Sequence, residues 1–345
     1  MFFKESMDKT SEVVDRTRNT VPIGVLGQMP SKQALVQVVQ RTRNEQLKAP
    51  PNPNDFANLV IPPSFTMHQI RAAPSPFKQV FTLHAKWRGT HRVVPCLHAL
   101  LPDKKETTYE TLFRQVKLLV NNAAPSSFGC DYEQALMNAF STVFPGTEIR
   151  GCYFHFSQNA RSHYSDYGIQ ALVDNDPRIA LQAKMIRSLA FVPLQDLDAA
   201  YDELLMHIDI GVWGPYLRNY FEPWYFGIRN NFGQGRRDGI FKREIWNVYQ
   251  RTLEGEMRTT NTIEGYHFRI NSIMSEMHPT LWKFIEKLKK FDESINSDYL
   301  QWIDGKEPTR VRRYVAQEKQ KLSIVENYHQ VTKIEYLRAV ANRLA

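Results

Sequence analysis

Between Lys78 and Tyr153 the hydrophobic period of the chain switches from two to 3.6 and back, and this switching constrains the fold more than any other feature. The runs Lys78–Trp87 (KQVFTLHAKW) and His91–Leu101 (HRVVPCLHALL) are β-rich and separated only by Arg88, Gly89 and Thr90, which predicts a hairpin. Pro95 has no amide proton to give to a ladder, so the second run needs a bulge or an edge position. Thr107 then opens a helix, with Glu110 completing a capping box. Its apolar stripe is Tyr109, Leu112, Phe113, Val116, Leu119 and Val120. Ser126–Cys130 reads as a short strand ending at Asp131. A second helix follows on Tyr132, Ala135, Leu136, Ala139, Phe140 and Val143, and Pro145-Gly146 stops it. Thr147–Tyr153 is again a strand, leading into a helix through His155, Asn159 and His163. The order hairpin, helix, strand, helix, strand predicts a mixed α/β sheet.

The flanks read differently. Residues 1–20 are polar and charged, and little order is expected there. Val21–Leu26 is a short apolar run, and Ser31 caps a helix to Gln46. Ala49–Asp55 is proline-rich and extended, and Phe56–Ile61 has the pattern of a short strand. Between about 165 and 257 strand signals fade. Helices are expected at Met185–Phe191, Leu197–Ile208 and Trp213–Phe221, around a cluster of aromatics that includes Trp213, Tyr216, Trp224 and Trp246. Leu281–Asn296 is a basic amphipathic helix, and helical material continues to the C-terminus. The expected segments are 1–55, a polar and helical region with a linker; 56–164, the first part of the α/β core; and 165–257, a helical insertion. Residues 258–298 supply a core helix and its successor, and 299–345 a basic helical tail.

A chain of 345 residues accommodates two domains, or one domain with a large insertion. No apolar run reaches the roughly 18 residues of a membrane-spanning helix. The start of the chain lacks the apolar run of a secretory signal. Three cysteines form an odd and sparse set, which suits a reducing, intracellular setting. The formal net charge of +8 is compatible with nucleic acid. The surplus concentrates in Gly233–Arg243, with Arg236, Arg237, Lys242 and Arg243, and in Lys306–Lys321, with Arg310, Arg312 and Arg313. Each is a candidate DNA contact, and each is also what a solvated charged face looks like.

Two carboxylates stand out. Asp131 sits where a strand hands over to a helix, the edge at which α/β sheets gather ligands, although spacing alone favours a plain N-cap with Gln134 at N3. Glu264 lies in Arg258–Ile273, where Asn261 supplies a cap and Ile263, Tyr266, Ile270 and Ile273 form a buried stripe. It either closes that cap or aims at a site supplied by the rest of the chain. Together the two acids can share a Mg²⁺ or Mn²⁺, since hard divalent ions take oxygen ligands. Cys152 and His155 are half of a zinc set with no second pair of matching spacing, which favours a buried thiol beside a satisfied histidine over zinc.

These blocks resemble the Mutator-like element (MULE) transposases. The resemblance runs from roughly 75 to 275 through SPFKQVFTLHA (Ser75–Ala85), VPCLHALLPDKKETTYETLF (Val94–Phe113), DYEQALMNAFSTVFPGTEIRGCYFHFSQ (Asp131–Gln158) and RTTNTIEGYH (Arg258–His267). It implies an RNase H-like fold with a helical insertion, a nuclear protein, DNA as partner and a self-association option. It also implies three metal-binding acids, with Asp131 resembling the second and Glu264 the third. Cys152 and His155 match a Cys-x-x-His pattern of the family.

The first acid departs from that pattern. No Asp or Glu occurs between Asp55 and Asp103, and PPSFTMH (Pro62–His68) resembles a segment that lies well upstream in the family. The central first strand is expected to be missing by internal deletion, with Phe56–Ile61 or Val21–Leu26 as substitutes and Asp55 as a remote replacement acid. The expectation is therefore a transposase-derived, DNA-associated protein impaired in strand cleavage. The alternatives are an active metal-dependent nuclease with a substitute acid, and a non-catalytic nuclear scaffold.

Overall fold

The computed structural model describes residues 29–46, 73–86, 93–230, 235–256, 280–303 and 312–344, with isolated positions 14–15, 18–19, 258, 266, 269–270 and 272. Helix α1 is Lys32–Gln46, and the Ser31 hydroxyl accepts from the Ala34 amide at 3.2 Å, the cap read from sequence. Strands β1 (Gln79–Lys86) and β2 (Val93–Leu101) form the antiparallel hairpin. Its register slips between Leu83 and His84, which face Leu97 and Pro95, so Cys96 is the bulged residue beside the proline.

The hairpin is buried from both sides, because side chains alternate across a strand. Phe81, Leu83, Leu97, Ala99 and Leu101 face the main core, while Val80 and Leu100 face a second, smaller core. Helix α2 (Glu106–Leu119) lies on the main-core side, with Tyr109, Leu112, Phe113 and Val116 buried. The expected capping box is not its start. The helix begins one residue earlier, and Asp103 takes the Lys105 amide at 3.1 Å and the Thr108 hydroxyl at 2.6 Å. Leu119 and Val120 are 71% and 44% exposed. The helix ends there, Asn121 and Asn122 turn away with positive φ, and the final turn of the stripe has no surface to cover.

Strand β3 (Ser127–Cys130), helix α3 (Gln134–Val143), strand β4 (Glu148–Gly151) and helix α4 (Tyr153–Ser162) follow, with β3 and β4 parallel. Phe128 stacks on Phe140 at 3.8 Å, and Phe113 meets both edge-on, so α2 and α3 share one aromatic seam with β3. This is a mixed α/β architecture. Among the described residues, however, the strands form separate two-stranded ladders, not one mixed sheet, and no ladder joins β1–β2 to β3–β4. The two segments suggested as replacement strands, Val21–Leu26 and Phe56–Ile61, lie outside the described residues, as does Asp55.

The insertion is helical, as its composition predicts. Helices α5 (Pro177–Ser188), α6 (Leu197–Leu205) and α7 (Ile210–Tyr216) pack together, and α7 runs on into a wider π-type turn at Leu217–Phe226. Sequence periodicity gave no sign of the two-residue ladder between β5 (Ile228–Arg229) and β6 (Arg236–Arg237). Helix α8 (Leu281–Ile303) covers the outer face of the hairpin, and Leu281, Trp282, Phe284, Ile285, Leu288 and Phe291 fill the second core. Helices α9 (Arg312–Glu326) and α10 (Lys333–Ala341) end the fold. The C-terminal part does not hang free as a tail. Tyr336, Leu337 and Val340 are buried in the main core, and the Lys184 ammonium donates to the Leu344 carbonyl at 2.8 Å.

Candidate functional site

Two parallel strands that each feed a helix bring their C-terminal ends to one edge. Here the edge carries Asp131 after β3, and Cys152 and His155 after β4. The Cys152 amide donates to the Cys130 carbonyl at 3.1 Å, which carries the pairing one step beyond the ladder. Gly151 has to be glycine: a Cβ there would overlap the hydroxyl and ring of half-buried Tyr132, which crosses over it.

Asp131 is not a helix cap. Glu133 holds the N-cap position of α3 and makes no side-chain cap bond. The Asp131 carboxylate instead meets His155 in the first turn of α4, Oδ1 to Nδ1 at 2.7 Å, with the two side chains 60% and 26% exposed. The contact has ion-pair distance, without the alignment of a hydrogen bond. Asp131 first, and the Cys152 thiol second, push the His155 pKa up to about 10, against partial burial, so the imidazole is cationic at neutral pH. Cys130 and Cys152 are both buried free thiols, and burial pushes the Cys130 thiol up.

The other acid near the edge is Glu133, which turns away. Its carboxylate takes the Tyr109 hydroxyl at 2.8 Å and lies 3.3 Å from the Lys104 ammonium. Glu256 bridges the strand pairs, pairing with Arg150 of β4 and, at 3.1 Å, with Lys86 of β1. Arg251, 6% exposed, donates to the carbonyls of Gly151, Ile245 and Asn247 and ties β4 to the insertion. Sequence reading found neither brace, because each joins residues whose proximity only the fold creates.

Glu264 lies outside the described residues, as do Asn261, Ile263, His267 and Ile273. Its neighbours on both sides are described. The Arg258 carbonyl accepts from the Tyr153 amide at 2.8 Å, so the chain returns from the insertion at the C-terminal end of β4. Tyr266 and Ile270 are buried in the second core, as the stripe predicts. Tyr266 meets His84 edge-on at 4.7 Å, and its hydroxyl is 3.4 Å from Nε2 of buried His98. Arg258 thus stands at the C-terminal end of β4 and Tyr266 on the outer face of the hairpin.

The basic residues separate into two kinds. Arg236 is a buried structural cation, its side chain 5% exposed, within 3.1 Å of Asp198 and 3.4 Å of Glu222. Arg243 pairs with Asp198 at 2.9 Å and donates to the Phe226 carbonyl. Both guanidiniums stack over the Phe226 ring. Neither is presented to solvent as a DNA contact would be. Arg237 and Lys242 are exposed. Arg310 and the side chains of Arg312 and Arg313 lie outside the described residues.

The described surroundings of Asp131 do not fit Mg²⁺ or Mn²⁺ on their own, because its neighbours are a cationic imidazole and thiols where hard ions need oxygen. Among the described residues no group of three or more His, Cys, Asp or Glu is placed to hold a metal ion.

Residues 77–159 match the family model of the MULE transposase domain. The matched segment starts just before β1 and ends within α4, so it contains Asp131, Cys152 and His155 and stops before Glu264. No curated protein and no solved structure matches the chain. No described helix is long and apolar enough to cross a membrane.

Proposed function

We propose that this is a transposase-derived, DNA-associated nuclear protein with an RNase H-like ancestry and impaired strand-cleavage chemistry. The observation that carries the reading is the MULE match over the segment holding Asp131. The impairment is supported by the chemistry around that acid. Its carboxylate is engaged by a cationic histidine, and the region where a first acid belongs contains none between Asp55 and Asp103.

The test has two readouts on the full chain. Duplex DNA should bind with a steep salt dependence. Supercoiled DNA incubated with Mg²⁺ or Mn²⁺ should not be nicked above background. Metal-dependent nicking that disappears in Asp131→Asn would replace this reading with an active nuclease using a substitute acid. Absence of DNA binding at low salt would leave the scaffold reading.

A further inference from the structure

Helix α8 carries its charges against its own dipole. Residues 281–290 contain Lys283, Lys287, Lys289 and Lys290 with one acid, Glu286, while 291–303 contain Asp292, Glu293 and Asp298 and no Lys or Arg. A helix N-terminus behaves as a partial positive charge, so lysines in the first half and acids in the second oppose the favourable arrangement. The charges are also sorted around the axis. Opposite the buried face, one stripe runs through Lys283, Lys287, Lys290, Ser294, Ser297 and Gln301, at spacings of four and three. Every member has a hydrogen-bond donor, and the acid at the stripe's margin is Glu286, whose carboxylate lies 3.8 Å from the Lys290 ammonium. Lys283, Lys290, Ser297 and Gln301 are exposed, and Lys287 and Ser294 partly so.

Its position follows from its packing. Arg269, three residues beyond Tyr266, pairs with Asp298 at 2.5 Å and donates to Ser294 at 3.2 Å, so α8 lies beside the helical stretch that follows Glu264. On the inner side, Leu281, Phe284 and Leu288 lock the helix onto the hairpin. The outer stripe is thus held on a layer packed against the hairpin, and its cations stay exposed or half-exposed, whereas the side chains of Arg236 and Arg243 are buried among internal acids.

We infer that the outer stripe of α8 is a contact surface for the phosphate backbone of duplex DNA, with Lys283, Lys287 and Lys290 as the anchoring cations. The three span about 10 Å at 1.5 Å per residue, which matches about three phosphates at 3.4 Å of rise along one strand. Charge complementarity selects the partner, and a positive helix end reinforces it. The inference rests on the DNA-associated reading above and goes beyond it by naming the surface.

The experiment is fluorescence anisotropy of a labelled mixed-sequence duplex against the full chain, from about 50 to about 200 mM salt. The variants are Lys283→Gln/Lys287→Gln/Lys290→Gln and a control of equal charge loss on the helical insertion and C-terminal helix, Arg218→Gln/Arg338→Gln/Arg343→Gln. The slope of log K against log salt should become shallower by about 2 to 3 in the lysine variant, at about 0.9 per lost phosphate contact, with the control parallel to the parent. The triple Lys→Arg variant should restore the slope, and thermal melts check that each variant folds. A lysine variant that folds and binds like the control overturns the α8 surface while leaving DNA association intact. A parent chain that does not bind at low salt overturns both.

Discussion

Asp131 and His155 form the most informative pair at the scale of single residues. The sequence offered Asp131 as a cap and His155 as half of a zinc set, and the fold gives each the other as partner. The imidazole pKa is raised above its ordinary value, so the pair's contribution is complete below about 6.5 and is lost as pH rises through about 10. The pair is half open to water, so that contribution is about 0–1 kcal/mol. The expected outcome is a His155 that titrates above its ordinary value by NMR in the parent and shifts down in Asp131→Asn. An unchanged titration in that variant would falsify the pairing. Arg236 and Arg237 make the same point about context. Neighbours in sequence and alike in charge, they point to opposite sides of β6, and only Arg236 is buried against acids. Arg236→Ala should destabilise the fold by about 1–3 kcal/mol, since it leaves Glu222 without its cation and Asp198 with Arg243 alone, and Arg237→Ala should stay within about 0.5 kcal/mol. Urea midpoints for the two variants measure the difference.

Among elements, those with strong local signals formed where the sequence put them: the hairpin with its bulge at the proline, helices α2 and α3, and strands β3 and β4. Periodicity reports which face of an element is apolar, and that is enough to place such segments. It does not report how far the neighbouring surface extends, which is why Leu119 and Val120 continue the stripe of α2 in sequence and are exposed in the fold. Nor does it report which polar group reaches a helix end first. Asp103, which precedes the predicted box, reaches both the Lys105 amide and the Thr108 hydroxyl.

For the molecule as a whole, the C-terminal helices are the main revision. Their basic, moderately apolar sequence suggests an appendage, yet Tyr328, Ile334, Tyr336, Leu337 and Val340 belong to the main core, and Tyr336 donates to the Phe191 carbonyl. Burial of a large apolar side chain is worth about 2–5 kcal/mol when it is lost, and total stability is about 5–15 kcal/mol. A chain ended at Glu326 should therefore lose its cooperative thermal transition, which circular dichroism measures. Retention of the parent transition would show that the insertion folds without them.

The sequence by itself determined the order of elements, their apolar faces, the position of Asp131 at a strand-to-helix handover and the resemblance over the α/β segment, because each depends on residues close together in the chain. Tertiary structure decided which charges meet. It put His155 on Asp131, buried Arg236 and Arg243 among acids, joined β1 to β4 through Glu256 and left a lysine-bearing stripe on the outside of α8. Electrostatic partners are chosen by proximity in space, and a one-dimensional spacing carries no record of that.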